Sequence, residues 1–256
     1  LLERKAIDLS QVHTLILDEA DKLLDVGFND ELSVLLDALS SPRQSLLFSA
    51  TLPQKVLTMG ARVLSQPTVV RIDEQAAAGP TIEQRVYAVD RENRRLLLQH
   101  LLKTERWGQT VIFVATQRGA DQLAKKLRIA GFAATEIHGG LEQDDRVFAL
   151  KRFKSGRAQI MVATDIAARG IDIPLLGAVV NFDLPRAPAD YIHRIGRTGR
   201  AGESGLAITF VDHETEGHLR LIEKRNRLML TRQQVPGFEM RESSAGKIKG
   251  PAPKKG

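Results

Sequence analysis

Short runs rich in Val, Ile and Leu alternate with helix-length amphipathic segments along most of this chain. That alternation restricts the fold more than any other feature. VHTLIL (12–17), SLLF (45–48) and TVVRI (68–72) read as strands, with helical stretches from Asn29 to Leu39 and from Pro53 to Leu64 between them. Pro53 suits a first helical turn, where its missing N–H is harmless. Further along, strands are expected at 83–89, 110–114, 132–137, 158–163, 177–182 and 205–211, and helices at 92–103, 117–130, 143–154, 188–195 and 214–230. Strand–helix–strand repetition of this kind predicts an α/β fold, a parallel sheet with helices on both faces.

The alternation is interrupted once, by DEQAAAGPT (73–81), small-residue rich and without apolar period, so residues 74–81 are expected to be a linker. Residues 82–233 then read as one complete α/β domain. Residues 1–73 offer about three strands, too few for an open sheet with its own core. They are expected to be the C-terminal part of a domain completed by another segment. Residues 234–256 lose apolar content after Met240; from Pro236 on, five Lys/Arg stand against two Glu, which predicts a basic, disordered tail.

The chain has no cysteine, which excludes disulfides and thiolate-held zinc and fits a reducing, cytoplasmic setting. No apolar stretch approaches the roughly 20 residues that span a bilayer, so no membrane association is expected. Lys and Arg outnumber Asp and Glu by 37 to 31, with a pI near 9.7. Such an excess favours a polyanionic partner, most simply nucleic acid, although it also serves solubility alone.

In open α/β sheets, ligands bind beyond the carboxyl ends of the strands, and the unusual residues gather there. Asp18-Glu19-Ala20-Asp21 follows the first strand and Ser49-Ala50-Thr51 the second. Thr116, His138-Gly139-Gly140, Thr164-Asp165 and Asp183-Leu184-Pro185 follow later strands. A carboxylate at a strand end can hold Mg²⁺, and a neighbouring Glu can orient or deprotonate an attacking water. An acidic cap for the next helix explains the same pair equally well.

In YIHRIGRTGRAG (191–202), Arg194, Arg197 and Arg200 lie three apart among glycines. Guanidiniums so close need anions between them, and their forked donors suit phosphate; structural ion pairing accounts for one such arginine better than for all three. In VATDIAARGIDIP (162–174), Ala163, Ala167, Ala168 and Gly170 keep the surface low enough for a sugar-phosphate chain. Thr164 can donate to a phosphate there and Asp172 can accept from ribose hydroxyls. Asp165 is expected to be the N-cap of the following helix. Gln143 and Arg146 sit one turn apart at a helix start, where N–H groups attract phosphate, though most such pairs are a solvated face.

Taken in order, DEAD (18–21), SAT (49–51), the Gln143/Arg146 pair, ATDIAARGID (163–172) and HRIGRTGR (193–200) resemble the motifs of the DEAD-box RNA helicases. The resemblance covers the chain to about Pro236. It implies two RecA-like domains, with ATP in the cleft between them and RNA across both. It makes Asp18 the Mg²⁺ ligand, Glu19 the residue that positions the hydrolytic water, and Arg197 and Arg200 the fingers to the γ-phosphate. Gly170 and Asp172 become nucleotide contacts, with Asp172 at the ribose. Asp21, Ser49, Thr51 and His193 couple the nucleotide state to the interdomain interface. Thr116, Gly139, Gln143, Arg146 and Thr164 become contacts to RNA, largely independent of its sequence.

One departure qualifies this. The family needs a phosphate-binding loop, G-x-x-x-x-G-K-S/T, ahead of its DEAD motif, and the chain has none: Gly246-Lys247 is followed by Ile248. The chain is therefore expected to be the C-terminal portion of an ATP-dependent RNA helicase, with little ATPase activity alone. A non-catalytic RNA- or partner-binding module is the alternative. A hydrolase run directly by Asp18, Glu19 and Asp21 is a second, which leaves the arginine cluster without a purpose.

Overall fold

The structure is a computed structural model that describes residues 6–26, 28–71, 82–168, 176–199 and 204–241. It divides into two compact units, Leu1–Asp73 and Glu74–Gly256.

In the first unit, strands β1 (Thr14–Leu17) and β2 (Gln44–Leu47) pair in parallel, Thr14 opposite Gln44 and Leu17 opposite Leu47. Helices α1 (Ala20–Val26), α2 (Asn29–Asp37) and α3 (Gln54–Val63) accompany them. Val56, Met59, Gly60 and Val63 recur at helical spacing and form the buried face of α3. Val56, Met59 and Val63 join Leu17 and Ala20 in a small apolar cluster. Pro53 caps α3 rather than entering its first turn, with an extended ψ of 162°. Of the strand expected at 68–72, the described residues 68–71 run outside any strand, with Val69 and Val70 exposed. A strand needs a ladder partner for its N–H and C=O groups, and among the described residues the sheet ends at β1 and β2. Ile16 and Phe48 are likewise more than half exposed.

The second unit is a seven-stranded sheet in the order β5-β6-β4-β7-β8-β3-β9, every pair parallel. The strands are β3 (Ile82–Ala88), β4 (Thr110–Phe113), β5 (Ala134–Ile137), β6 (Ile160–Ala163), β7 (Ala178–Asn181), β8 (Gly205–Val211) and β9 (Arg232–Gln233). Alternate residues serve opposite faces. Ile112, Val162, Val180 and Ile208 pack with α4 (Arg94–Thr104) and α5 (Gln117–Ile129). On the other face, Val111, Met161 and Val179 pack with α6 (Gln143–Lys154) and α7 (Asp165–Ala168), and Val86 and Ala207 with α8 (Asp190–Ile195) and α9 (Glu216–Asn226). A sheet covered on both sides explains why β4, β6 and β7 read as continuous apolar runs.

Local signals set the helix ends. Thr116 accepts from the Gly119 N–H at 3.0 Å and caps α5, whose buried residues Ala120, Leu123, Ala124 and Leu127 keep helical spacing. Gly131, at φ 89°, ends that helix in the left-handed conformation. Arg227, at φ 54°, does the same for α9, so the helix expected to reach 230 stops early and the chain turns back into β9, a strand the alternation does not reveal. The expected tail also begins later than 234: Val235, Phe238 and Met240 pack against the second unit's apolar clusters. Residues 242–256 and the expected linker at 74–81 lie outside the described residues.

Candidate functional site

The strand order fixes where a ligand site can form. From β4 the chain moves outward to β5, and from β7 it moves to β8 on the opposite side. The switch point therefore lies between β4 and β7, and the loops leaving those two strands diverge there.

Two buried ionic groups are built under this rim. Arg194, on α8, forms a two-pronged pair with Asp165, Nε to Oδ1 at 2.6 Å and Nη2 to Oδ2 at 2.8 Å. Its Nη1 donates to Asn181 Oδ1 at 2.9 Å and to the Asp183 carbonyl at 2.6 Å. The guanidinium lies 4.8 Å from the Phe113 ring centre. One arginine of the cluster is thus structural, which is the reading that ion pairing allowed for one of them. Asp165 is correspondingly the first residue of α7 and spends its carboxylate on Arg194, not on capping the helix as expected.

Arg94 reaches the same rim from α4, donating to Asp212 Oδ2 at 2.5 Å and approaching Asp183 Oδ1 at 3.4 Å. Asp183 Oδ2 accepts from the Ala115 N–H at 2.9 Å, directly before Thr116. One carboxylate therefore clamps the two loops across the switch point. Burial would push the Asp212 carboxyl up. The Thr215 hydroxyl and Arg94 outweigh it and hold Asp212 below the ordinary carboxylate range. Sequence reading missed Arg94, yet the signal was present: it falls in register with Leu97, Leu98 and Leu101 on the buried face of α4. A charge at an apolar position must find a partner.

Around these groups, HRIGRTGR turns from helix into coil. Gly196 caps α8, Arg197 N–H donates to the Arg194 carbonyl at 3.2 Å, and buried Thr198 donates to the Leu176 carbonyl at 2.5 Å. His193 is exposed and Arg197 half-buried. With Phe113, Asp165 and Arg194 they line a recess of about 30 Å³. Thr116, Gly139 and Gln143 are exposed, and Arg146 and Thr164 half-buried, at the ends or starts of the elements after β4, β5 and β6. Gly170, Asp172 and Arg200 lie outside the described residues.

In the first unit, Asp18 and Glu19 stand exposed just beyond β1. Asp18 Oδ1 accepts from the Glu19 N–H at 2.8 Å, and Glu19 sits at φ 49°, a left-handed conformation costly for a residue with a Cβ. Asp21 is 8% exposed. Its Oδ2 accepts from Thr51 Oγ1 at 3.0 Å and its N–H donates to Ser49 Oγ at 3.3 Å, so the DEAD and SAT stretches form one hydrogen-bonded cluster. Asp21 Oδ1 has no partner among the described residues.

Residues 1–59 match the family described as DEAD/DEAH box helicase, and residues 92–202 the helicase conserved C-terminal domain. The ATP-dependent RNA helicase CshA of Listeria monocytogenes is 38% identical over 97% of this chain and 47% of its own length. The DEAD-box ATP-dependent RNA helicase CshA of Geobacillus kaustophilus is 39% identical over 93% and 51%. Among solved structures, the DEAD-box protein SrmB of E. coli, bound to the regulator of ribonuclease activity A, is 35% identical, with 98% of that chain covered by 68% of this one and a TM-score of 0.59. The chain belongs to the DEAD-box helicase family. It spans about half the length of the curated relatives it matches. A further DEAD-box fold, S. cerevisiae Dbp5 bound to RNA and ADP BeF3, is similar at a TM-score of 0.80 and 32% identity over 91% of this chain and 62% of that one. As a DEAD-box chain it carries RecA-like parallel sheets, and none of its described helices is long and apolar enough to cross a membrane.

Proposed function

We propose that this chain supplies the arginine-bearing, RNA-gripping half of a cytoplasmic ATP-dependent RNA helicase, acting with a phosphate-binding segment in a polypeptide of its relatives' length. The observation that carries the reading is the seating of Arg197 directly after the buried Arg194–Asp165 fork, at the switch point where an α/β sheet takes its ligand. The exposed apolar side chains Ile16 and Phe48 support a first unit completed by further strands. That reading makes 1–73 part of a larger RecA-like domain, 82–233 the second such domain, and 74–81 their linker.

In this proposal Arg197 and Arg200 stabilise charge on the γ-phosphate oxygens, and Asp172 and Gly170 hold the nucleoside end. Glu19 orients the attacking water and takes its proton, with its backbone fixed where the carboxylate is exposed. Asp21, Ser49, Thr51 and His193 transmit the nucleotide state. Thr116, Gly139, Gln143, Arg146 and Thr164 hold the RNA backbone, whose bending separates a short duplex. Asp18 offers an exposed carboxylate, one oxygen of which accepts from the Glu19 N–H, and this suits Mg²⁺ held mainly by phosphates and water. Bound there, the ion would neutralise phosphate charge.

The test is RNA-stimulated ATP hydrolysis and unwinding of a short RNA duplex by a polypeptide joining this chain to a phosphate-binding segment of its relatives. Turnover and unwinding are expected there, with little turnover from this chain alone. RNA binding without either activity in the joined protein would favour the binding-module alternative.

A further inference from the structure

We infer that His138 is a positioning residue, which sets the Gly139–Gly140 turn against the start of α5 and so fixes the spacing of two RNA contacts. The inference rests on the proposal that Thr116 and Gly139 touch RNA. His138 closes β5 and is 4% exposed, although the two glycines after it are exposed. The turn is closed by the Leu141 N–H donating to the His138 carbonyl at 3.2 Å. The ring holds it a second time: the Gly140 N–H donates to His138 Nδ1 at 3.2 Å. Nδ1 must therefore carry no proton, which puts the single ring proton on Nε2. That nitrogen lies 2.8 Å from Asp121 Oδ1, on α5, and donates to it. A carboxylate behind an imidazole fixes both its tautomer and its angle.

Gln117 lies beside the turn, one helical turn before Asp121. A Cβ on Gly140 would come within 2.6 Å of Gln117 Oε1 and 3.2 Å of His138 Nδ1, so the turn sits against the His138 ring and the tip of the exposed Gln117 side chain, which can give way. Gln117 follows Thr116, the cap of α5. The pair His138–Asp121 and the ring's bond with the Gly140 N–H thus tie the helix to the turn. A surface assembled before RNA arrives loses less conformational freedom on binding.

The test measures binding of labelled single-stranded RNA to this chain by fluorescence anisotropy, together with amide exchange at Gly140. His138→Ala should weaken RNA binding roughly fivefold, as for one lost hydrogen bond, and speed Gly140 exchange by a similar factor. His138→Asn, whose Oδ1 reaches the Nδ1 position, should restore most of both. His138→Gln, which reaches only toward Asp121, should not. If His138→Ala does not fold, Asp121→Ala decides, because Asp121 is a half-exposed helix-surface residue; it should give a smaller loss of the same two kinds. Unchanged Gly140 exchange in these variants, or an Asn variant no better than Gln, overturns the inference. No RNA binding by the wild-type chain would refute the RNA reading of Thr116 and Gly139 instead, while Gly140 exchange still judges the positioning.

Discussion

Arg194 and Asp165 meet through two parallel hydrogen bonds of 2.6 and 2.8 Å beneath the arginine-rich loop, with the arginine side chain 3% exposed. Removing one partner strands the other. Arg194→Ala should therefore cost the second unit about 3 kcal/mol, the lower end for a broken buried pair because Asp165 retains some contact with water. Arg194→Lys should recover little, since a point charge cannot reproduce the fork and also reach Asn181 and the Asp183 carbonyl. Urea denaturation of the three proteins measures this; a lysine variant as stable as wild type would contradict it.

Asp212 and Glu223 predict how stability depends on pH. Hydrogen bonding from Arg232 holds Glu223 below its ordinary value, as the Thr215 hydroxyl and Arg94 hold Asp212 against the opposing effect of burial. A carboxyl depressed in the folded state binds fewer protons there than in the unfolded chain. Its stabilisation is full above the unfolded value of about 4 and is lost as pH falls through the folded value. Urea midpoints should thus be steady from neutral pH to about 5 and then fall. Asp212→Asn and Glu223→Gln should each flatten the decline, whereas an unchanged slope in both would remove these two groups from the explanation.

Glu19 holds its carboxylate at the cost of a left-handed backbone, φ 49°. Glu19→Gly should stabilise the first unit by about 1 kcal/mol relative to Glu19→Ala, because only glycine adopts that conformation freely. Both variants should lack turnover in a joined, phosphate-binding protein. Thermal unfolding followed by a probe in the first unit gives the comparison; an alanine variant at least as stable as glycine would show that the strain is absent.

The strand–helix alternation was legible because β4, β6 and β7 are buried on both faces and are mostly apolar. Residues 68–71 are also rich in apolar β-formers but have no neighbouring strand among the described residues, and composition does not carry that information. Arg94 was hidden by its helix: it reads as one more charge beside Arg95 until the 94-97-98-101 register is noticed. Asp165 looked like a cap because its true partner lies 29 residues away, on α8. Only tertiary structure could show that Arg194 is buried against Asp165 while Arg197 is half-buried at the recess.

The central claim is that Arg197 acts on the nucleotide while its neighbour Arg194 holds the fold. It is tested most directly by Arg197→Ala in a polypeptide that joins this chain to a phosphate-binding segment, with RNA-stimulated ATP turnover and RNA affinity measured side by side. Turnover is expected to fall by roughly a thousandfold or more, the scale of a lost arginine finger, with RNA affinity within about twofold, since the proposal assigns RNA to other residues. Turnover that survives the substitution would contradict the account.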